Sequence, residues 1–131
     1  MKNLISFKLA GNLAVTIIVL LIIFHVLLLL GVVPSDIVWG GKVADEAIII
    51  KLEIFSLVTS FIFLGIVLLR INQDKLLKFK KSINYAVIVI CAYFVFNIAG
   101  NLASEVTLEK LIFTPITVIL SLLLFRLAIE K

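Results

Sequence analysis

The feature that most constrains this chain is a long apolar run near its N-terminus. From Leu13 to Val33, only Thr16, His25 and Gly31 interrupt it. A helix needs about 20 predominantly apolar residues to cross the roughly 30 Å hydrocarbon core of a bilayer. Comparable runs recur along the chain, and we predict four spans, at about residues 10–33, 47–70, 83–101 and 110–129.

The composition agrees with a membrane protein. Hydrophobic residues make up 63% of the 131 residues and the mean hydropathy is +1.31, whereas an ordinary soluble domain is roughly 45–50% apolar. We therefore predict an all-α membrane protein, with residues 1–131 forming one compact antiparallel bundle of four transmembrane helices. The first run is longer than the roughly 7–15 apolar residues of a signal peptide, so we expect it to be retained.

The distribution of basic residues predicts the orientation. Lys and Arg in short loops mark the cytoplasmic side, and placing both termini inside gives the larger basic count to that side. A multi-pass protein of the plasma (inner) membrane, N-in and C-in, follows. The net charge of +4 does not predict nucleic-acid binding, because the basic residues lie in short loops. The inner residues are Lys2, Lys8, Arg70, Lys75, Lys78, Lys80, Lys81, Arg126 and Lys131, and the outer ones are Lys42, Lys51 and Lys110.

The sequence gives no indication of a cofactor or a metal site. His25 is the only histidine and Cys91 the only cysteine, so neither a His-rich metal site nor an intrachain disulfide is possible within one chain. Nucleophile-elbow, HExxH and phosphate-binding glycine motifs are also missing. We expect no cofactor and no metal.

Glu53 is the residue that most strongly suggests a function, because it lies inside the second predicted span. Charged side chains at membrane depth usually face the bundle interior and mark a functional site. Lys51 lies two positions away and so points nearly the opposite way around a helix. The topology brings His25, Asn97 and Asn101 to the same depth, in the outer leaflet, and we expect them to be the neighbours of Glu53.

Three further residues complete the candidate pocket. Ser56 lies beside Glu53 on the second helix, and Thr114 belongs to a polar stripe on the fourth. Trp39 follows Pro34 in the first loop, where it is either an interfacial anchor or a lid over the pocket. Polar residues of this kind also serve as hydrogen-bonding contacts between membrane helices, and that alternative remains open for the Ser, Thr and Asn residues.

These residues support three functions. The first is a non-enzymatic protein that binds a small amphiphile, lipid or cationic molecule in an outer-leaflet pocket. The second is a small transporter or channel, which would need to form a homo-oligomer because one four-helix bundle is thin for a pathway. The third is a lipid or isoprenoid enzyme, since a buried His25–Glu53 pair can transfer protons. The sequence favours a binding protein over an enzyme.

Three motifs resemble those of a group of small four-span bacterial membrane proteins without assigned function. They are Pro34-x-Asp36-Ile37-Val38-Trp39-Gly40-Gly41, Asn97-x-x-Gly100-Asn101 and Leu108-Glu109-Lys110-x-x-x-Thr114-Pro115-x-Thr117. The resemblance would cover nearly the whole chain. It implies the four-span topology and carries no activity with it.

Overall fold

A computed structural model describes residues 3–130 and contains four long helices. They are α1 (Phe7–Leu29), α2 (Glu46–Ile71), α3 (Lys80–Ala103) and α4 (Thr114–Ala128), the last preceded by a π-helical turn at Glu109–Phe113. Within residues 3–130 there is no β-strand. By length and composition, α1, α2, the segment Leu77–Ala103 and the segment Glu109–Ala128 are each able to cross a membrane.

The helix ends explain small differences from the predicted spans. Helix α1 begins at Phe7 rather than near residue 10, because the Ser6 hydroxyl accepts the Leu9 N–H at 3.1 Å and caps the helix. It ends at Leu29 rather than near residue 33, because Gly31 adopts a φ of +72° and stops the helix in the way typical of a C-terminal glycine. Asp45 caps α2 by accepting the Ala47 N–H at 2.9 Å.

The helices pack in chain order around a ring, so that α1 contacts α2 and α4, and α3 contacts α2 and α4. The core is apolar and includes Ala14 and Ile18 of α1, Val67 of α2, and Leu124 of α4. Large apolar side chains also cover the outside, and Phe96 is 83% exposed. A helix that is apolar on all sides is typical of a membrane span.

Consecutive helices run antiparallel, which gives the bundle two chemically different ends. We call the end where α1 and α3 terminate the Trp39 end, and the opposite one the Arg70 end. Arg70 was counted from the sequence among the basic residues of the inner side, at the end of the second span. In the structure α2 continues through Ile71, and Arg70 is 1% exposed. Its guanidinium donates to the Leu127 carbonyl from Nη2 at 2.7 Å and from Nε at 3.2 Å, and to the Glu130 carbonyl at 2.7 Å. It therefore satisfies carbonyl groups at the C-terminus of α4.

Candidate functional site

Glu53 lies near the start of α2 and is 1% exposed. Its Oε2 atom lies 2.6 Å from Nδ1 of His25, and its Oε1 atom accepts the indole N–H of Trp39 at 2.7 Å. An ionised carboxylate can only accept hydrogen bonds, so with Glu53 ionised the contact requires a proton on Nδ1 of His25. Both oxygens of the buried carboxylate thus have a donor, which offsets part of the cost of removing the charge from water.

His25 reaches Glu53 from the last two turns of α1. Its side chain is 18% exposed, against 2% for that of Glu53, so the imidazole separates the carboxylate from the surroundings. Phe24 contacts the ring edge-on, with the ring centroids 5.8 Å apart. Since Nδ1 is directed at the carboxylate, Nε2 is the ring atom left to meet a bound molecule.

Trp39 reaches Glu53 from the loop between α1 and α2. Its φ is +57°, and Gly40 and Gly41 follow with φ values of +69° and +66°. Glycine adopts this left-handed conformation without penalty, whereas a residue with a side chain loses roughly 1–2 kcal/mol. The hydrogen bond to Glu53 is a specific interaction that holds Trp39 in this conformation. The indole is therefore a partner of the carboxylate, a role beyond the anchor or lid expected from the sequence.

Glu109 was not among the predicted site residues, yet it fixes the same loop from the other side of the site. Its Oε2 atom accepts the Gly40 N–H at 3.0 Å and the Ser104 hydroxyl. Ser104 Oγ in turn accepts the Val106 N–H at 3.0 Å. The loop is thus held between two carboxylates, Glu53 through the Trp39 side chain and Glu109 through the Gly40 backbone.

The two asparagines bond elsewhere than expected. Asn101 Nδ2 donates to Thr117 Oγ1 at 3.3 Å and so links α3 to α4, as an interhelical contact does. Asn97 Nδ2 donates to the Tyr93 carbonyl of its own helix at 3.1 Å. Glu53 therefore has Trp39 as its second partner in place of an asparagine.

A cleft of about 170 Å³ lies in front of these residues at the Trp39 end. Its walls come from all four helices, the Trp39 loop and the π-helical turn. The structure brings six of the seven predicted residues to it, namely His25, Trp39, Glu53, Ser56, Asn97 and Asn101. Their role in binding a ligand stays a prediction.

Thr114 is the seventh, and it does not line the cleft. Its hydroxyl is buried without a hydrogen-bond partner among the described residues. Thr117, one turn further along α4, lines the cleft instead. Thr114 and Thr117 both belong to α4, and three residues correspond to a rotation of about 300° around an α-helix, so the two side chains are directed roughly 60° apart.

The cleft is also more aromatic than the sequence predicted. Six aromatic side chains line it: Phe24, Trp39, Phe63, Tyr93, Phe94 and Phe113. Two groups of them are in contact, with centroid distances of 4.9 Å for Phe24–Phe113 and 5.1 Å for Phe63–Tyr93. Phenylalanine is common throughout these spans, so no single position indicated the pocket.

Among the residues that the structure describes, no group of three or more His, Cys, Asp or Glu side chains is placed to hold a metal ion.

No family model, curated protein or solved structure matches the chain. The resemblance to small four-span bacterial membrane proteins therefore stays a prediction, and a function has to be inferred from the chemistry of the cleft.

Proposed function

We propose that the protein is a multi-pass plasma-membrane protein that binds the headgroup of a small amphiphile or lipid in the cleft around Glu53. The observation that carries this proposal is the buried carboxylate, whose two oxygens are held by His25 and Trp39 at the wall of an aromatic cleft. Helix packing does not require an ionisable group, and an ionisable residue inside a membrane is costly. A carboxylate kept in place by two dedicated donors is better explained by recognition of a ligand.

The exposed surface and the charges support a membrane location with the cleft on the outer side. The large apolar side chains on the outside of the bundle suit lipid contact. Basic residues concentrate at the Arg70 end, which the positive-inside rule assigns to the cytoplasm. Lys42, Lys51 and Lys110 lie at the Trp39 end. Lys2 and Lys131, counted on the inner side from the sequence, lie outside the described residues.

The size of the cleft indicates which part of an amphiphile it would enclose. Pockets for drug-sized ligands have volumes of roughly 300–1,000 Å³, and this cleft has about 170 Å³. That volume suits a headgroup. The apolar chain would then lie along the bundle surface among the lipid chains.

The chain carries a probe for this site, because Trp39 is its only tryptophan. The protein in phosphatidylglycerol nanodiscs, whose lipid shares no headgroup with the probes, would be titrated with dodecyl maltoside, dodecylphosphocholine and dodecyltrimethylammonium while Trp39 fluorescence and the thermal midpoint are recorded. We expect saturable changes with at least one probe. Glu53→Gln should weaken the stabilisation.

Ser56→Phe and Val58→Phe form a matched pair of variants for this experiment. Ser56 lines the cleft, whereas Val58 is 53% exposed on the outside of α2. Ser56→Phe should abolish saturation and Val58→Phe should retain it. Linear responses to all three probes in the unmodified protein, as for simple partitioning into lipid, would refute the proposal.

A transporter is less well supported. A pathway would need polar groups that continue towards the Arg70 end, and the centre of the bundle is instead closed by fully buried apolar residues such as Ile18, Val67 and Leu124. The Arg70 guanidinium, bonded to carbonyl groups, closes the far end.

Proton-transfer chemistry on a bound lipid is the second candidate, and the 2.6 Å His25–Glu53 contact favours it. A carboxylate that orients an imidazole is a common arrangement in acid–base catalysis. A comparison of lipid extracts from cells producing the unmodified protein or His25→Gln would test it. Catalysis requires a lipid species whose abundance differs between the two extracts. Identical extracts would leave ligand binding as the remaining function.

A further inference from the structure

We propose that the headgroup taken by the cleft is an organic cation, a primary to quaternary ammonium group. This inference rests on the proposed function and adds the charge of the ligand. Its basis is the charge of the lining. Glu53 and Glu109 both line the cleft, His25 is the only basic side chain among the lining residues, and neither Lys nor Arg is among them.

The cleft stays negative in either protonation state of His25. A protonated His25 would neutralise Glu53, to which it is bonded at 2.6 Å, and would leave the charge of Glu109. The partners of Glu109 are the Gly40 amide and the Ser104 hydroxyl, which are neutral donors. With both carboxyl groups ionised, the lining carries one or two net negative charges, and an anionic headgroup would be repelled.

A competing cation is Lys42, which lines an adjoining recess that shares Trp39, Asn97, Asn101 and Glu109 with the cleft. The Lys42 amine lies 3.2 Å from the Glu105 carboxylate, and both side chains are largely exposed. Lys42 thus has its own acidic partner outside the cleft.

The aromatic lining distinguishes an organic cation from a metal ion. Hard metal ions prefer shells of oxygen ligands, whereas ammonium groups bind well against the faces of aromatic rings, as in cages that recognise quaternary ammonium. Here the rings of Phe24 and Phe113 and those of Phe63 and Tyr93 form contacting pairs in the lining. Carboxylates combined with an aromatic wall match the chemistry of an alkylammonium headgroup.

The test compares probes that share a dodecyl chain and differ in their headgroup. Dodecyltrimethylammonium, dodecyl maltoside and dodecyl sulfate would each be titrated at low concentration against the protein in phosphatidylglycerol nanodiscs, whose lipid has no ammonium group to compete for the cleft, with Trp39 fluorescence as the readout. Ser56→Phe provides the signal from partitioning alone. We expect the trimethylammonium probe to bind at least about tenfold more tightly than the maltoside, a difference of about 1.4 kcal/mol, and the sulfate not to saturate.

Glu109→Gln and Glu46→Gln test the source of the selectivity. Glu46 is exposed in the first turn of α2 and does not line the cleft. Glu109→Gln should weaken binding of the cationic probe several-fold and leave binding of the maltoside unchanged. Glu46→Gln should change the affinity for neither probe. If Glu109→Gln lowered the affinity for both probes to the same extent, Glu109 would only support the loop, and the inference would be overturned.

The unmodified protein separates failure of the inference from failure of the proposed function. Saturable binding of cationic and neutral probes with equal affinity would overturn cation selectivity and leave amphiphile binding intact. Saturation with none of these three probes, nor with dodecylphosphocholine, would refute both.

Discussion

The Gly40 amide N–H donates to Glu109 Oε2 at 3.0 Å, although the two residues are 69 positions apart in the chain. This contact and the Trp39–Glu53 hydrogen bond come from adjacent residues of one loop and end on different helical segments. The loop between α1 and α2 is consequently tied to both sides of the cleft. Its position is set by two carboxylates that also supply the negative charge of the site.

Replacing Glu109 by Ala should release the loop. The Gly40 amide and the Ser104 hydroxyl would lose their acceptor, and leaving such groups unsatisfied costs about 1–3 kcal/mol. We expect a lower thermal midpoint, faster hydrogen exchange at the Gly40 amide and a Trp39 emission shifted to longer wavelength. Glu105→Ala is the control, because the exposed Lys42–Glu105 pair should contribute only about 0–1 kcal/mol. Equal behaviour of the two variants would argue against a role for Glu109 in holding the loop.

Replacing Trp39 by Phe should leave Glu53 Oε1 without its indole donor. The ring is retained and the N–H is lost, so a buried carboxylate oxygen becomes unsatisfied at a cost of about 1–3 kcal/mol. The measurement is thermal unfolding followed by circular dichroism, since the variant has no tryptophan. In a Glu53→Leu background the same Trp39→Phe change should lower the free energy of unfolding by much less, because the acceptor is gone. Additive effects of the two changes would contradict the direct interaction.

Much of the fold and the centre of the site could be predicted from the sequence. The apolar runs indicate the four helices, and their antiparallel order brings His25 near the end of one helix to the level of Glu53 near the start of the next. The contact between them, 2.6 Å in the structure, agrees with that order and depth and with the inward-facing position predicted for Glu53.

The remaining contacts depend on features that periodicity does not encode. Trp39 reaches Glu53 because its backbone is left-handed, with φ of +57°, and no rule would predict that conformation for a tryptophan. Glu109 meets Gly40 only through the tertiary packing of the loop between α1 and α2 against the π-helical turn. Arg70 follows an apolar run and resembles a cytoplasmic boundary residue, but its burial is set by carbonyl groups of α4 that are distant in sequence.

Replacing Arg70 by Lys should destabilise the protein more than the retained charge would suggest. Arg70 donates to carbonyl groups of Leu127 and Glu130 from Nε and Nη2 together, and its guanidinium lies 5.5 Å from the centre of the Phe7 ring. Lysine cannot reproduce this planar set of donors, so we expect the free energy of unfolding to fall by about 1–3 kcal/mol. Lys75→Arg, at an exposed position in the following loop, should leave the thermal midpoint unchanged. An Arg70→Lys protein as stable as the unmodified one would show that charge alone suffices there.

The final prediction concerns two helical glycines in different surroundings. A Cβ at Gly11 in α1 would lie 2.6 Å from Cγ1 and 2.8 Å from Cδ1 of Ile71, whereas a Cβ at Gly65 in α2 would meet nothing within 4 Å. Alanine is favoured over glycine inside a helix by about 1 kcal/mol. Gly65→Ala should therefore raise the thermal midpoint.

At Gly11 the same gain is opposed by a clash that must move Ile71, and overpacking costs typically 1–3 kcal/mol. We expect Gly11→Ala to lower the thermal midpoint, and Gly11→Ala combined with Ile71→Ala to recover part of the loss relative to Ile71→Ala alone, because the smaller side chain leaves room for the new methyl group. If Gly11→Ala stabilised the protein as much as Gly65→Ala, the close approach of α1 to the end of α2 would be wrong. The two substitutions are chemically identical, so a difference in their sign isolates the packing at Gly11 from helix propensity.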